Sequence, residues 1–598
     1  MNNLDYGIIG NCRSAALISK HGSIDWCCLP IFDSASIFAK MLDTEIGGSF
    51  EVLVDDNYTI SQAYIENTSI LVTTFTNGID IFEINDFMPR YGKVKGGIYT
   101  PPEIIRYLKL KSGTPKFRIK YDPKLEYASA ATDIQIKNDF IISVTNTKKF
   151  DSLFLYSNLD FEKIINQELI TLEQDAYFLL GYNEKIFVPS LKDINSDFER
   201  TKVYWLIWSE KSSVYPMYNK EISRSAITLK LLSYEKTGAV LAAATTSLPE
   251  TIGEVRNWDY RFCWVRDASM VVRVVNELGH KKMAKKYLQF IIDLIPNKDE
   301  KLQIMYGINK EKKLEEYFLD HLSGYENSRP VRVGNAAYNQ KQNDIYGILM
   351  DVIYIQLINF KNDIENSEEL WNITKGIAWL VRKHWKEKDK GIWEFRTEER
   401  HFTFSKVLCW TAIDRAIKVA DILGKKNRSI LWNELAEEIR KDIMDNAWNE
   451  EVQAFTQFYG SKDLDASILL MEKYGFIEAH NIKFVNTVKA IERELSYNGL
   501  VYRYKNNDDF GLPTSSFTIC TFWFINSLYK IGEEEKAVEL FDKLLSYGNH
   551  LGLFSEDIDF QSKRLLGNFP QAYSHLALIE TAINLSNVKR EGEAILFQ

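Results

Sequence analysis

Nowhere in its 598 residues does the chain carry a run of about 18 uninterrupted apolar residues, so no membrane span is expected. Its opening residues, MNNLDYGIIGNCRSAALISKHGSIDW, show no charged segment followed by an apolar core. No signal peptide is read there, and a cytoplasmic location is expected. Cysteine is sparse. Cys12, Cys27, Cys28, Cys263, Cys409 and Cys520 form no CxxC pair. That is neither a disulfide framework nor a zinc pattern, and reduced, mostly buried thiols are expected. The eight histidines, His21, His280, His321, His384, His401, His480, His550 and His575, are scattered without an HExxH pair, so no metal site is expected. No GxSxG elbow offers a nucleophilic serine. The glycine-containing stretches GIIGNC and YGNHLG are not phosphate-cradling loops. The net charge of −9 provides no basic face, so nucleic acid is not an expected partner. Lysine runs such as GHKKMAKK lie at helical spacing and read as solvated helix faces.

What the chain has in quantity is aromatic side chains, 13% of residues, within an otherwise ordinary globular composition. A large core accounts for part of them, and a surface that stacks on flat ligands would account for more. Two regions differ in pattern. Residues 1–223 hold short β-rich runs (AALIS, GSFEVLV, SILVTTFT, GIDIFEIN, EIIRYLKLK, KFRIKYD, DFIISVTN, VYWLIWS) separated by turn residues, which predicts an antiparallel β-sandwich. From residue 224 to 598 the period becomes helical. Ten clear amphipathic segments, with about twelve helices expected, fit an α/α toroid whose loops at one end carry a site. The fold class expected is therefore α+β and multidomain.

The loops between those helices mix rings with charges. NWDYRFCWVRDAS, residues 257–269, interleaves Trp258, Tyr260, Phe262 and Trp264 with Asp259, Arg261, Arg266 and Asp267. A sugar site needs flat rings against pyranose C–H faces, charged groups that fork hydrogen bonds to vicinal hydroxyls, and two carboxyls flanking the bond to be cleaved. The motif supplies the first two. Equally, Arg266 and Asp267 could be a helix-capping pair, with the tryptophans in the core. For the carboxyls, Glu394 follows Trp393 in GIWEF; a glutamate beside an indole is partly desolvated, which raises its pKa and suits a general acid. Glu556 in LFSEDID has acidic neighbours and an expected loop exposure that suit a general base. Asp557, Asp559, Glu398, Glu399 and Asp508 compete for these roles. From the residues alone, the chain reads as a carbohydrate-active enzyme with a glutamate pair.

Several motifs in order resemble glycoside hydrolase family 15, the glucoamylase and trehalase family: NWDYRFCWVRDAS, LQIMYGI, PVRVGNAA, GIWEFR, RHFTFSKVLCW and FSEDIDF followed by LLGNFPQAYSHLAL. The resemblance implies an N-terminal β-sandwich followed by an (α/α)6 barrel. It implies an inverting hydrolase that removes glucose from a small-molecule α-glucoside, with no cofactor. On the matching motifs, Glu394 is the general acid and Glu556 the general base. Arg266 and Asp267 hold the terminal glucose with Trp264 beside them. Arg503 and Asp508 look like a second set of sugar-binding residues. Trp258, Tyr260, Trp393, Gln342, His401 and Lys406 line the pocket. Two positions depart from many relatives, where acids stand in place of Ile348 and near Thr514; both leave the glutamate pair intact and bear on substrate detail.

The opening segment resembles the trehalase-like prokaryotic branch, which makes trehalose the expected substrate. Glucoamylase-type cleavage of maltodextrins is the alternative. An inverting phosphorylase shares the architecture but needs no base glutamate. A sugar-binding protein on a retired scaffold would have lost one of the pair. The sandwich is expected either to lend a loop to the site or to mediate association into a homo-oligomer.

Overall fold

The computed structural model describes residues 3–147, 151–294, 302–359, 367–396 and 398–586. Two antiparallel sheets build the N-terminal part. One runs in the order Tyr6–Gly10, Ala15–Ser19, Ile24–Cys28, Ser49–Leu53, Lys116–Asp122 and Ile170–Thr171, with Ser36–Phe38 also on Ile24–Cys28. The other runs Thr132–Ile136, Ile141–Thr145, Ser152–Ser157, Ala176–Tyr182, Glu103–Ser112, Ile81–Phe87, Leu71–Thr76 and Thr59–Tyr64. Their period-two patterns turn one face of each inward: Leu71, Thr73 and Phe75 are buried while the residues between them are less so. The facing rows meet as rings, Phe50 on Phe178 with centroids 5.2 Å apart and Phe82 on Phe117 at 5.3 Å.

One expectation fails here. VYWLIWS is not a strand but the last part of helix α1, Leu191–Ser209. Ser190 and Asp193 form a capping box at its start. The buried residues Ile194, Phe198, Thr201 and Trp205 recur at helical spacing, and that face covers the outer side of the larger sheet through Phe87 and Tyr107. A local wealth of β-branched and aromatic residues outweighed this longer period in the sequence. The next helix, α2, runs Asn219–Leu231, so the expected boundary at 223/224 falls inside it.

Among the described residues, the further helices of ten residues or more are α3 Val265–Glu277, α4 Lys281–Leu294, α5 Asp344–Asn359, α6 Ser367–His384, α7 Thr403–Ile422, α8 Lys426–Asn446, α9 Ile482–Leu495, α10 Thr518–Lys530, α11 Glu534–Leu545 and α12 Ala572–Leu585. An inner ring closes in the order α12, α3, α5, α7, the 3-10 segment Ala466–Met471, α10 and back to α12. Outside it lie α2 against α12, α4 against α3, α6 and α8 against α7, α9 against the 3-10 segment, and α11 against α10. Inner helices are apolar nearly all round: ten of α10's residues, Thr518–Ile525, Ser527 and Leu528, are buried. Outer α4 buries only a stripe, Met283, Ala284, Tyr287, Phe290, Ile291 and Leu294. Gly279, at φ +99°, separates α3 from α4, and the six-residue 3-10 segment is too short to show a helical period in the sequence.

Sandwich and barrel share a buried seam. Trp26 Nε1 donates to the Ala244 carbonyl at 2.9 Å. Arg261, fully buried, pairs with Asp259 through Nη2–Oδ2 at 2.7 Å and Nε–Oδ1 at 2.9 Å, and its Nη1 reaches across to the Ser34 carbonyl at 2.9 Å. Two charges of the NWDYRFCWVRDAS motif thus serve the seam. Replacing Arg261 by Met strands the buried Asp259 carboxylate and should cost about 3–5 kcal/mol in chemical unfolding. Replacing Lys20, whose pair with Asp5 is half exposed, should cost about 0–1 kcal/mol.

Candidate active site

The site lies where inner helices begin. Strand Cys263–Trp264 pairs with Met305–Tyr306 and delivers Trp264 as the N-cap of α3, so Arg266 and Asp267 fall in its first turn. Arg266 is buried, and its donors are taken from several directions. Nε donates to the Tyr573 hydroxyl at 2.7 Å, and Nη1 to Gln342 Oε1 at 2.9 Å and Asp344 Oδ2 at 3.3 Å. Asp267 Oδ1 lies 3.3 Å from Arg266 Nε, yet that oxygen accepts no hydrogen bond. Burial pushes the Asp267 carboxyl up to about 6, against the pull of Arg266.

Glu394 sits on a tight turn with φ +61°, a left-handed value that only a constrained non-glycine residue adopts. Its carboxyl keeps 23% exposure. Trp264 Nε1 donates to Glu394 Oε1 at 2.8 Å, and Arg266 Nη2 stands 3.8 Å from the same oxygen. The indole bound to this carboxyl is therefore Trp264's. Trp393, expected in that role, turns its Nε1 to the buried Asp465 at 2.8 Å.

Glu556 differs from its expected exposure. It is 1% exposed, just before strand Asp557–Ile558 in a small sheet with Ser516–Phe517 and Leu565–Leu566. Tyr260 Oη donates to Oε1 at 2.6 Å, and the Asn568 backbone N–H to Oε2 at 3.2 Å. Burial first, then the nearby charge of Glu250, raises the Glu556 carboxyl well above the usual range; Tyr260, Asn568 and Arg503 oppose the rise. The adjacent Asp557 is raised in the same way and accepts from Ser515 Oγ at 2.8 Å. Since the Tyr260 and Trp264 rings meet edge to face at 5.2 Å, an unbroken line runs Glu556–Tyr260–Trp264–Glu394.

In a second buried cluster, Arg503 Nη2 pairs with Glu250 at 2.9 Å and stands 4.0 Å from Asp508. Asp508 accepts from Arg256 at 2.7 Å and from the Tyr504 hydroxyl at 2.6 Å. The Trp258 ring carries two guanidiniums, Arg396 at 4.3 Å and Arg332 at 4.5 Å from its centroid.

One cavity is lined by Trp258, Tyr260, Trp264, Arg266, Asp267, Trp393, Glu394, Arg503 and Asp508, all named from the sequence. Glu556 is not among the lining residues; it accepts from Tyr260, which is. Gln342 is one row further back, holding Arg266. His401 and Lys406 do not line the cavity. His401 stacks on Tyr459 at 5.7 Å, and Lys406 spends its ammonium on the carbonyls of Trp385 and Glu387, tying the end of α6 to α7. Of the rival acids, Asp559 organises its own turn through Ser562, and Glu398 pairs with Arg400 in the open. Ile348 is buried in α5 and Thr514 bonds Thr251; neither lines the cavity. Missed by the sequence reading were Glu250, Arg256, Arg396, Phe510 and Tyr573. Tyr573 had a signal, since it opens an inner helix as Arg266 does.

Residues 216–583 match the family model described as "Glycosyl hydrolases family 15", and residues 5–158 that described as "Trehalase-like, N-terminal". The chain belongs to glycosyl hydrolase family 15. It is a hydrolase of O-glycosyl bonds. A trehalase of Thermoplasma volcanium is 35% identical over 97% of this chain and 93% of its own length. A trehalase of Mycolicibacterium smegmatis is 34% identical over 99% of this chain and 92% of its own. A bacterial glucoamylase solved with acarbose superposes with a TM-score of 0.72 at 13% identity, covering 98% of this chain and 94% of that one, a likeness of fold.

Within this family 15 site, the backbone at Gly567 passes close against the Glu556 side chain. Its φ is +74°, and a Cβ there would lie 2.7 Å from Glu556 Cβ and Oε2. Gly567→Ala should therefore displace that carboxyl, lowering turnover at least about tenfold and stability by about 1–3 kcal/mol. Steady-state kinetics and thermal unfolding check both.

Proposed function

We propose that the protein is an inverting trehalase, cleaving the α,α-1,1 bond of trehalose to two glucose molecules. One observation supports the substrate: similarity to prokaryotic trehalases extends over nearly the whole chain, sandwich included. In this reading the first glucose enters the deep end, where Asp267 Oδ1 and the Arg266 edge fork to its hydroxyls and Trp264 packs against the ring. Glu394 is partly open to the cavity, and it protonates the glycosidic oxygen. Glu556, held by the Tyr260 hydroxyl, draws a proton from water as that water attacks the anomeric carbon. Such a pair needs a carboxyl separation of about 6.5–9.5 Å to admit the water.

Inversion at one centre makes β-glucose from the attacked sugar and leaves α-glucose as the departing one. Proton NMR of the first turnovers should show the two anomers in equal amounts; two α-anomers would mean retention and sink the mechanism. Glu394→Gln and Glu556→Gln should each lower kcat by about 10²–10⁴-fold. Glucose release from maltose or maltotriose in place of trehalose would make the enzyme a glucoamylase.

The base must be ionised to act. Activity therefore rises with pH through the Glu556 pKa, and burial sets that acid limb above the ordinary glutamate range. Tyr260→Phe removes a donor that favours the carboxylate. The acid limb of kcat/KM should move to higher pH by about one to two units, since a hydrogen bond to a charge contributes about 1.5–3 kcal/mol. A limb that stays in place, or moves down, would separate Glu556 from the base role.

A further inference from the structure

We propose that Arg396, Trp258 and Phe510 form a clasp around the leaving sugar that limits the substrate to a disaccharide; this rests on the trehalase reading. The cavity is graded from a closed end to a mouth. Arg266 and Asp267 are 5% and 8% exposed, whereas Trp258, Arg396 and Phe510 are half-buried around the opening. A general acid must reach the oxygen between the two sugars. Arg396 lies two residues beyond Glu394 on the same short segment, and it lines the same cavity, so its side chain falls beside the departing ring.

The clasp is held from several sides. The Arg396 guanidinium lies 4.3 Å from the Trp258 centroid and 5.7 Å from that of Phe510, and the two rings meet edge to face at 5.3 Å. Arg396 Nη2 is 3.7 Å from Glu316, and its backbone N–H donates to Asp509. The turn bearing Phe510 is pinned again by Arg256, which donates to Asp508 at 2.7 Å and to the Gly511 carbonyl at 2.8 Å. The segment that carries the acid and the turn that carries Phe510 are thus locked together across the mouth. A guanidinium stacked on a ring keeps its N–H edges in plane, suited to the vicinal hydroxyls of one sugar. A third sugar would have to pass between Arg396 and Phe510.

The test compares wild type, Arg396→Ala, Arg396→Lys and Phe510→Ala on trehalose, maltotriose and α-glucosyl fluoride, whose fluoride leaving group does not occupy the second sugar site. Each kcat/KM is divided by that on the fluoride, which cancels damage to the base or the fold; fluoride leaves without the acid, so damage to Glu394 lowers both sugar ratios alike and leaves the maltotriose-to-trehalose ratio unchanged. For Arg396→Ala and Phe510→Ala, the trehalose ratio should fall at least about tenfold and the maltotriose-to-trehalose ratio should rise by a similar factor. Arg396→Lys, which keeps the charge but not the planar fork, should recover less than half of the trehalose loss. Ratios within about twofold of wild type, or an equal fall on both sugars, overturn the clasp and leave the trehalase reading standing. A wild type that prefers maltotriose overturns both.

Discussion

A buried guanidinium must find partners for its donors or lose more in desolvation than the fold can spare, and Arg266 meets that demand by gathering the barrel around itself. Arg266 comes from α3, Asp344 opens α5, and Gln342 stands just before it. Tyr573 comes from the first turn of α12. Three neighbours in the inner ring are thereby fixed to one point at the same end of the toroid. Glu394 then has one place to stand, on a strained turn beside Arg266 and beneath Trp264 Nε1. The sugar-binding geometry and the closure of the ring are two consequences of one charge being taken out of water.

Arg503 plays a parallel part at the second cluster, among Glu250, Asp508 and the buried pair Glu556 and Asp557. Four carboxyls against Arg503 and Arg256 leave this side of the cavity short of positive charge. The rise of the Glu556 and Asp557 pKa values follows from that shortage and from burial. The deep end is balanced differently, with Arg266 facing Asp267, Asp344 and a Glu394 that keeps solvent access. Two glutamates of identical chemistry are thus given different surroundings by their neighbours, one dry and among acids, one wetter and beside a cation.

Much of this was legible in the sequence where the signal was periodic or clustered. The sheets announce themselves by alternation, as in Leu71–Thr76, and the outer helices by stripes, as in Lys281–Leu294. Inner helices such as Thr518–Lys530 show as apolar-rich segments almost free of charge. The Arg266–Asp267 pair stood out because charge and rings share so few residues. Harder to read was anything set by contact between distant segments. Which indole would bind Glu394 depends on a turn reversing at Gly391 and on α3 arriving opposite, not on which residue precedes the glutamate. Burial of Glu556 depends on a three-stranded sheet of two-residue strands, too short to leave a period. Lys406 was expected in the pocket from its place in a matching motif, and what its ammonium meets, the carbonyls of Trp385 and Glu387, is set by a segment some twenty residues away.

The electrostatic pattern runs opposite to the simple expectation that the acid is the dry carboxyl and the base the exposed one. The two can be reconciled through the transition state. A glycosyl centre approaching an oxocarbenium ion places positive charge within the cavity, and it does so only transiently. Positive charge developing in a dry site among Glu250, Glu556 and Asp557 stabilises their ionised forms far more than it would in water. A carboxyl whose pKa is raised in the empty enzyme is thus drawn toward its basic form at the moment a base is needed, and the proton it takes from water is held firmly afterwards. In the proposed cycle Glu394 regains a proton and Glu556 gives one up once per turnover, and the partial exposure of Glu394 at the cavity surface opens it directly to solvent. On this argument the same burial that makes Glu556 reluctant to ionise in the free enzyme is what couples its ionisation to the chemistry.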